Sequence, residues 1–362
     1  MHIKDSISQL GKVQPWDCHT QELECVMVLN DTHNVRTFCF QTENASWFRY
    51  TPGQFITLAL EIDGEDVHRT YTLSSTPSRP TCISITVKAI EGGIVSNWLH
   101  NNLGVGDKIR AVGPAGLFTL DNHIADKYLF LAGGVGITPM LSMTRWLFDY
   151  GRSPDLIMIQ SSQMPSDLIA RRELETLADR LPGIRLAWVC NRADENEAWT
   201  GYTGRLDASM LEIIAPDYLE REIFCCGPEP YMNAVKDILG ASSFDMAHYH
   251  EESFTMPDII DPEPDSVDSL VLENEEARKV MFTRSGKEVT CDGNETVMDA
   301  ANKAGLSIPN ACLFGMCGTC KVMKQSGDVN LMQNGGISQS DIDEGYILAC
   351  CSKPLNDIEI DY

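Results

Sequence analysis

Short apolar runs broken by glycine, proline and aspartate fill the chain from about Leu23 to Val112. Segments such as "QFITLAL" and "CISITVKAI" are rich in valine, isoleucine, threonine and phenylalanine. These residue types favour strands, and the turn residues between the runs recur at short intervals. The pattern predicts an antiparallel β-barrel or sandwich.

A different pattern follows from Lys127 onward. The segment "KYLFLAGGVGITPMLSMTRWLF" is an apolar strand, a glycine turn and an amphipathic helix, and "DLIMIQSS" followed by "SDLIARRELETLADRL" repeats that order. The segments "IRLAWVCN" and "EIFCCGPEPYMNAVKDIL" continue it. Strands that alternate with helices predict a parallel sheet covered by helices, so this part of the chain is expected to be an α/β domain.

The pattern breaks again at "MPDIIDPEPDSVDS", from Met256 to Ser269, whose prolines and acidic residues are typical of a solvated, fairly stiff linker. Beyond it, "KVMFTRSGKEVTCDG" predicts a hairpin, "ETVMDAANKAGL" a short helix, and the last residues a strand. The sequence therefore predicts three domains and a linker: a β-barrel over 1–124, an α/β domain over 125–255, the linker over 256–272 and a small α+β domain over 273–362.

Composition and charge narrow the functional classes. The chain has 362 residues, of which 43% are hydrophobic, which is enough to fill several cores. Its formal net charge of -24 argues against nucleic acid as a partner, because a polyanion would be repelled. The amino terminus has no signal-peptide pattern, and the most apolar segment is interrupted by glycines and is too short to span a bilayer. A cytoplasmic protein without a membrane partner is expected.

The thirteen cysteines include one dense cluster, in "CLFGMCGTCK". Cys312, Cys317 and Cys320 have the spacing C-x4-C-x2-C, and Cys350 follows later in the chain. This is the plant-type spacing for a 2Fe-2S centre, in which three thiolates come from one loop and the fourth is expected from a distant strand. Gly315 fits such a loop, because glycine permits the positive φ angles that aim several N–H groups inward.

Other interpretations of the cysteines stay open from the residues alone. A structural zinc site is one, although such sites usually use paired C-x2-C knuckles. A thioredoxin-like dithiol at Cys317 and Cys320 is another, but the expected strand-to-helix setting is missing. Cys351 is adjacent to Cys350 and is a rival fourth ligand.

The glycine turn predicts a nucleotide site. It follows an apolar strand directly and opens a helix, so its backbone can approach a pyrophosphate while the helix amino terminus favours negative charge. The turn consists of Gly133, Gly134 and Gly136, followed by Thr138 and Pro139. Further on, Cys226-Gly227-Pro228 ends a strand. Recognition of a 2'-phosphate favours arginine after the second strand, and "QSSQMPSD" has none before Arg171, so NADH is expected rather than NADPH.

The segment "HRTYTLSSTP" has side chains suited to a flavin, although by composition it is equally an ordinary barrel strand. Arg69 can pair with a phosphate, Tyr71 can stack on the cofactor, and Thr72 can donate a hydrogen bond. The later segment "VKAIEGGIVSNWLH" adds a glycine turn that opens an amphipathic helix, and "GPAGLF" adds a tight turn.

These three segments, in this order, resemble the flavin domain of the ferredoxin-NADP reductase superfamily. With the cysteine cluster, the chain resembles members of that superfamily that end in a plant-type ferredoxin of β-grasp fold, and the resemblance implies FAD, with FMN open, NADH and a 2Fe-2S cluster. It implies catalytic roles for Cys226, Thr72 and Glu252, with Glu251 an adjacent rival for the last. It also implies cofactor contacts from Arg69, Tyr71, Thr72, Ser74, Val87, Gly93, Val95, Ser96, Gly133, Gly134, Gly136, Thr138, Pro139, Cys226, Gly227, Pro228 and Phe254, and cluster ligation by Cys312, Cys317, Cys320 and Cys350.

The resemblance implies that hydride passes from nicotinamide to flavin and that single electrons then pass through the cluster to a partner protein. A Rieske-type oxygenase is the first expectation for that partner, and one that demethylates glycine betaine is a specific candidate. Hybrid-cluster protein is the alternative acceptor. A nucleotide-binding redox sensor without turnover is the alternative from another functional class.

Overall fold

The computed structural model describes residues 21–42, 46–193, 198–254, 277–293, 295–306, 308–309, 315, 318, 320–333, 336–337 and 339–362. The chain divides into two compact units, residues 1–255 and 256–362. The predicted linker and two of the predicted cluster ligands, Cys312 and Cys317, lie outside the described residues. No helix in the described ranges is long and apolar enough to cross a membrane.

The first part of unit 1 is an antiparallel six-stranded sheet. Its strands are β1 (Gln21–Thr32), β2 (Val35–Thr42), β3 (Phe55–Ile62), β4 (Glu65–Thr72), β5 (Ile83–Lys88) and β6 (Lys108–Ala115). Their order is β4-β3-β6-β1-β2-β5, and a bridge between Leu73 and Ile85 joins the two outer strands into a barrel. Helix α1 (Ile94–Asn102) buries Leu99 in the same core as Phe38 and Phe40. The antiparallel barrel predicted from the short apolar runs is confirmed.

The second part of unit 1 is a parallel six-stranded sheet. Strands β7 (Lys127–Gly133), β8 (Asp155–Ser162), β9 (Ile184–Cys190), β10 (Tyr202–Thr203), β11 (Glu222–Cys226) and β12 (Tyr249–Glu252) lie in the order β10-β9-β8-β7-β11-β12. The helices are α2 (Ile137–Asp149), α3 (Arg171–Arg180), α4 (Ala208–Ile214) and α5 (Glu229–Ala241). Both faces of the sheet are covered, with Phe130 in one core and Leu131 in the other, which explains the unbroken apolar runs.

The strand order reverses beside β7. The chain moves outward from β7 through β8 and β9, then returns so that β11 pairs with the free edge of β7. In open parallel sheets, ligands bind at the carboxyl ends of the strands where the order reverses. Gly133 ends β7 and Cys226 ends β11, so both predicted nucleotide segments lie at this point.

Unit 2 is a mixed sheet with short helices. Strands β13 (Arg278–Phe282), β14 (Lys287–Cys291), β15 (Lys321–Ser326), β17 (Tyr346–Leu348) and β19 (Ile358–Asp361) form a sheet in the order β14-β13-β19-β15-β17, and β16 (Val329–Leu331) pairs with β18 (Ser352–Pro354). Helices α6 (Val297–Lys303) and α7 (Gln339–Asp343) complete it. Thr296 caps α6 in a reciprocal pair of hydrogen bonds with Asp299. The expected α+β architecture is confirmed.

Candidate functional site

The glycine turn and the Cys226-Gly227-Pro228 segment are in direct contact. A Cβ atom on Gly136 would overlap the carbonyl oxygen of Cys226, so only glycine fits there. Helix α2 begins immediately after the turn. The N–H of Ile137 donates to the carbonyl oxygens of Gly134 and Val135, Pro139 has no N–H, and the positive end of the helix dipole points toward the turn. The two segments therefore form one cradle at the reversal point, with a helix amino terminus that favours an anion.

Cys226 is a buried thiol within this cradle. Its side chain has no exposed surface, and burial raises its pKa well above the ordinary value, with the nearby Glu252 adding to the effect. A thiol in this state is neutral and is not a nucleophile. It is a small, polarizable side chain packed in the core next to the glycine turn.

Thr72 joins the barrel to the far edge of the parallel sheet. Its hydroxyl, at the end of β4, donates a hydrogen bond to Oε2 of Glu252 at 3.1 Å, and Glu252 is the last residue of β12. Glu252 pairs with Cys226 in the register of β11 and β12. The structure thus brings together the three residues for which the sequence implied catalytic roles, at the carboxyl ends of neighbouring strands.

Glu252 is a half-buried residue whose carboxyl group accepts the hydrogen bond from Thr72. Desolvation raises its pKa to about 8, and the hydrogen bond from Thr72 opposes the shift only in part. The neighbouring Glu251 is different, because it is exposed and forms a salt bridge with Lys236 at 3.0 Å. Of the two rivals, Glu252 is therefore the one that is bonded to Thr72, and its raised pKa favours the protonated form at neutral pH.

The predicted flavin residues lie in two parts of the barrel: β4 with the segment after it, and the region from β5 to α1. Tyr71 packs against the barrel core, and burial raises its pKa to about 12; Arg69 lies two positions before it, on the same face of β4. The hydroxyl of Ser74 is buried against Ser84 and Thr86 inside the barrel.

Four further residues of the flavin set lie on β5 or around the turn that opens α1. Val87 is a core residue, and the hydroxyl of Ser96 accepts from the N–H of Ile90. Gly93 caps α1 and Val95 is buried within it. The side chains of Ser74, Val87 and Ser96 thus pack or hydrogen-bond within the first part of unit 1, and their contact with a flavin stays a prediction.

Side chains of α2 form hydrogen bonds with the segment that follows β4 in the barrel, and the sequence did not indicate these contacts. Arg145 donates to the carbonyl oxygen of Ser74 and forms two hydrogen bonds with Glu173 on α3. At the end of the helix, Asp149 accepts two hydrogen bonds from Arg79, at 2.9 and 2.7 Å. The helix whose amino terminus faces the nucleotide cradle therefore also sets the position of the segment that follows β4.

Two polar side chains at the end of β8 were also missed. Gln160 is fully buried, and neither polar atom of its amide has a hydrogen-bond partner in the described part of the chain; the same is true of the Ser162 hydroxyl. Buried polar groups without partners are rare and call for an explanation. Because both side chains lie where the strand reaches the cradle, they fit a polar ligand such as a nucleotide. The available signal was the polar "QSS" that closes the apolar run "DLIMI".

The other predicted nicotinamide residues, and Phe254 of the predicted flavin set, lie near the ends of β7, β11 and β12. Thr138 is buried in the first turn of α2 and donates to the carbonyl oxygen of Val135 at 3.1 Å, and Pro139 follows it. Pro228 precedes α5, and Phe254 packs against the core beside Cys226. Gly134 has a φ of 54° and open space where a side chain would point.

In unit 2, two of the predicted cluster ligands meet. The sulfur atoms of Cys320 and Cys350 lie 3.2 Å apart in a buried position. This separation is too long for a disulfide bond of about 2.05 Å and is short enough for two thiolates on one metal centre. Cys350 lies in a turn after β17 rather than in a strand, which corrects the expectation that the fourth ligand comes from a strand.

Cys351 faces a different partner. Its thiol donates to the carbonyl oxygen of Leu348 at 3.7 Å, and a Cβ atom on Gly315 would lie 2.6 Å from its sulfur. Gly315 has a φ of 75°, as expected from its place in the cysteine loop. The geometry favours Cys350 over Cys351 as the partner of Cys320.

Comparison with known protein families identifies three domains along the chain. Residues 26–120 match the family model for the oxidoreductase FAD-binding domain, residues 130–237 that for the oxidoreductase NAD-binding domain, and residues 280–355 that for the 2Fe-2S iron-sulfur cluster binding domain. The crystal structure of phthalate dioxygenase reductase has a TM-score of 0.55 at 22% identity and covers 97% of this chain and 100% of its own. At this level of identity, the similarity shows that the two chains share a fold.

Two curated relatives match almost the whole chain. The glycine betaine monooxygenase reductase subunit of Pseudomonas aeruginosa is 49% identical over 355 residues, which cover 96% of this chain and 97% of that protein. The stachydrine N-demethylase reductase subunit of Rhizobium meliloti is 45% identical over 356 residues, which cover 98% of this chain and 100% of that protein.

Proposed function

Because this chain belongs to the family of oxygenase reductases that combine FAD-binding, NAD-binding and 2Fe-2S domains, we propose that it carries electrons from NADH to a Rieske-type oxygenase that demethylates glycine betaine. The observation that carries the proposal is the 49% identity with the glycine betaine monooxygenase reductase subunit over nearly the full length of both chains. The relative named for stachydrine N-demethylation supports an acceptor that removes N-methyl groups.

The domain set explains why an intermediate carrier is needed. NADH gives up electrons in pairs, a 2Fe-2S centre accepts them one at a time, and a bound flavin can take up a pair and release single electrons. In this chain the cradle at the ends of β7 and β11 would hold the nucleotide, with Gly136 and Cys226 in contact behind it. Arg69 and Tyr71 would hold the flavin on the barrel side.

Within this proposal, Thr72 and Glu252 are positioning groups at the junction of the two cofactor sites. Their hydrogen bond at 3.1 Å joins the end of the flavin-side strand to the nucleotide-side edge strand. Because Glu252 holds a proton at neutral pH, its carboxyl group adds no negative charge next to the flavin. Cys320 and Cys350 would be ligands of the cluster, together with Cys312 and Cys317.

NADH is the proposed donor. Arg171, the first arginine after β8, forms a salt bridge with Glu175 at 3.0 Å and lies over the ring of Trp199. A guanidinium held in this way is less available to a 2'-phosphate, so we expect kcat/KM for NADH to exceed that for NADPH at least about tenfold, a free-energy difference of about 1.4 kcal/mol.

The test combines the purified, flavin-loaded and cluster-loaded protein with NADH, a purified glycine betaine oxygenase component and glycine betaine. In the presence of dioxygen, one formaldehyde should form per NADH consumed, since one oxygen atom hydroxylates the N-methyl group, which then leaves as formaldehyde, and the other is reduced to water. Reactions without oxygenase and reactions with the stachydrine-demethylating oxygenase are the matched controls. A preparation that stays oxidised under anaerobic NADH would overturn the reductase activity. Rapid NADH oxidation without formaldehyde would overturn only the choice of partner.

A further inference from the structure

Three histidines gather around one carboxylate at the end of the parallel sheet opposite the nucleotide cradle. Nε2 of His250 lies 2.5 Å from Oε1 of Glu222, and Nδ1 of His248 lies 2.8 Å from Oε2. Nδ1 of His123 lies 4.0 Å from Oε1, and its ring is stacked on that of His250 with centroids 3.4 Å apart. Ligand atoms of His123, Glu222 and His250 all lie within 4.8 Å of one another.

This group is separate from the proposed electron-transfer site. Glu222 begins β11 and Cys226 ends it, so the two residues are about 13 Å apart along a strand that rises about 3.3 Å per residue. His123 lies in the segment between the barrel and β7, and His250 lies on β12. The redox proposal uses none of the four residues.

The chemistry of the group suits a particular class of ion. Imidazole nitrogens with one carboxylate oxygen are typical ligands of Zn²⁺ and similar divalent transition metals, whereas Ca²⁺ and Mg²⁺ prefer oxygen ligands. The side chain of His123 is 29% exposed, that of Glu222 13% and that of His250 14%, so an ion can reach them from solvent. The ring of Phe224 packs against the imidazole rings of both histidines. Arg221, the adjacent cation, turns its guanidinium away toward Asp155 and Asp217.

We propose that His123, Glu222 and His250 bind one divalent transition-metal ion of the zinc class, with His248 or water as a further ligand. The ion replaces the hydrogen bond between His250 and Glu222, and the two stacked rings tilt apart so that both nitrogens point at it. Bonds of about 2.0–2.1 Å to a tetrahedral zinc ion place the ligand atoms about 3.3 Å apart. Nε2 of His250 and Oε1 of Glu222 must therefore separate from 2.5 Å, and Nδ1 of His123 must move closer to Oε1 from 4.0 Å. The bound metal would cross-link the segment after the barrel to β11 and β12.

The experiment measures zinc stoichiometry in the holoprotein. After brief treatment with a weak chelator, wild type and His123→Ala are dialysed against the same free Zn²⁺ concentrations, and bound zinc is counted by mass spectrometry of the metal. His123→Ala removes a ligand but leaves both hydrogen bonds to Glu222. His33→Ala is the matched control, because His33 meets a single carboxylate, that of Asp167 at 3.4 Å, and is otherwise exposed.

Wild type and His33→Ala should bind one more equivalent of zinc than His123→Ala, and zinc bound by cysteines should be equal in all three. At a free zinc concentration about 100 times Kd, Tm should rise by about 5 °C in wild type and not in His123→Ala. His123→Gln serves as a second variant if His123→Ala loses flavin. Equal stoichiometry in wild type and in a folded His123 variant would overturn the site, whatever the outcome with the oxygenase.

Discussion

At the scale of single residues, Arg221 shows how a charge is accommodated in the interior of unit 1. Its side chain has no exposed surface, and its five N–H donors make five hydrogen bonds. The acceptors are both carboxylate oxygens of Asp217, one carboxylate oxygen and the carbonyl oxygen of Asp155, and the carbonyl oxygen of Tyr128. A buried guanidinium is tolerated only when it is fully paired, and this one also ties the starts of β7 and β8 to that of β11.

Asp217→Asn should therefore destabilise the protein at pH 7, by about 3 kcal/mol, because it leaves the buried charge of Arg221 partly uncompensated. The hydrogen bond from Arg221 lowers the pKa of Asp217 to about 2, below its unfolded value of 3.8. The stabilisation from the Asp217–Arg221 pair is complete above about pH 4 and is lost as the pH falls toward 2. The difference in free energy of unfolding between wild type and Asp217→Asn should therefore narrow in acid. Calorimetry at pH 7 and pH 3 measures it, with the exposed Asp237→Asn as control. A deficit that stays constant over this range would contradict the assignment.

At the scale of secondary-structure elements, α2 serves two sites at once. Its first turn lies at the nucleotide cradle, and its later turns hold the segment after β4 through Arg145 and Asp149. Because rates of transfer between two bound molecules depend steeply on their relative position, the helix is expected to control the geometry between the cofactor sites.

Arg145→Gln tests this role. Loss of the bonds to Ser74 and Glu173 should slow NADH-dependent bleaching of the flavin about tenfold, as measured by anaerobic stopped flow, while flavin content and reduction by dithionite stay unchanged. Arg284→Gln removes a comparable two-bond pair, with Asp361 on the surface of unit 2, and should leave the rate as in wild type. A wild-type rate in Arg145→Gln would show that the helix does not set this geometry.

The elements themselves were largely predictable from sequence, but their pairing was not. Apolar runs marked β7, β8 and β11 because each is buried on both faces, and that burial leaves a local signature. Nothing local indicates that β11 returns to the edge of β7, since any apolar strand can pair with any other. The same limit applies to the site. The glycine turn was visible, whereas the bond of Thr72 to Glu252 joins positions 180 residues apart.

At the scale of the whole molecule, the chain separates the chemistry into two compact units, residues 1–255 and 256–362. Unit 1 holds the proposed flavin and nucleotide sites, and unit 2 the proposed cluster. A change at the cluster should therefore stop the export of single electrons without affecting what happens inside unit 1. The two adjacent cysteines in the turn after β17 allow this to be tested with nearly identical substitutions.

Cys350→Ser should lose most of its iron and labile sulfide, because the sulfur of Cys350 lies 3.2 Å from that of Cys320 in the predicted ligand set. Cys351→Ser should keep both, since the thiol of Cys351 bonds to the carbonyl oxygen of Leu348 instead. NADH should still bleach the flavin in both variants, but only Cys351→Ser should reduce cytochrome c at the wild-type rate. Iron, sulfide and the two rates are measured on the same preparations. If Cys351→Ser loses the cluster and Cys350→Ser retains it, the ligand assignment is reversed; if either variant also loses flavin bleaching, the two units are not independent.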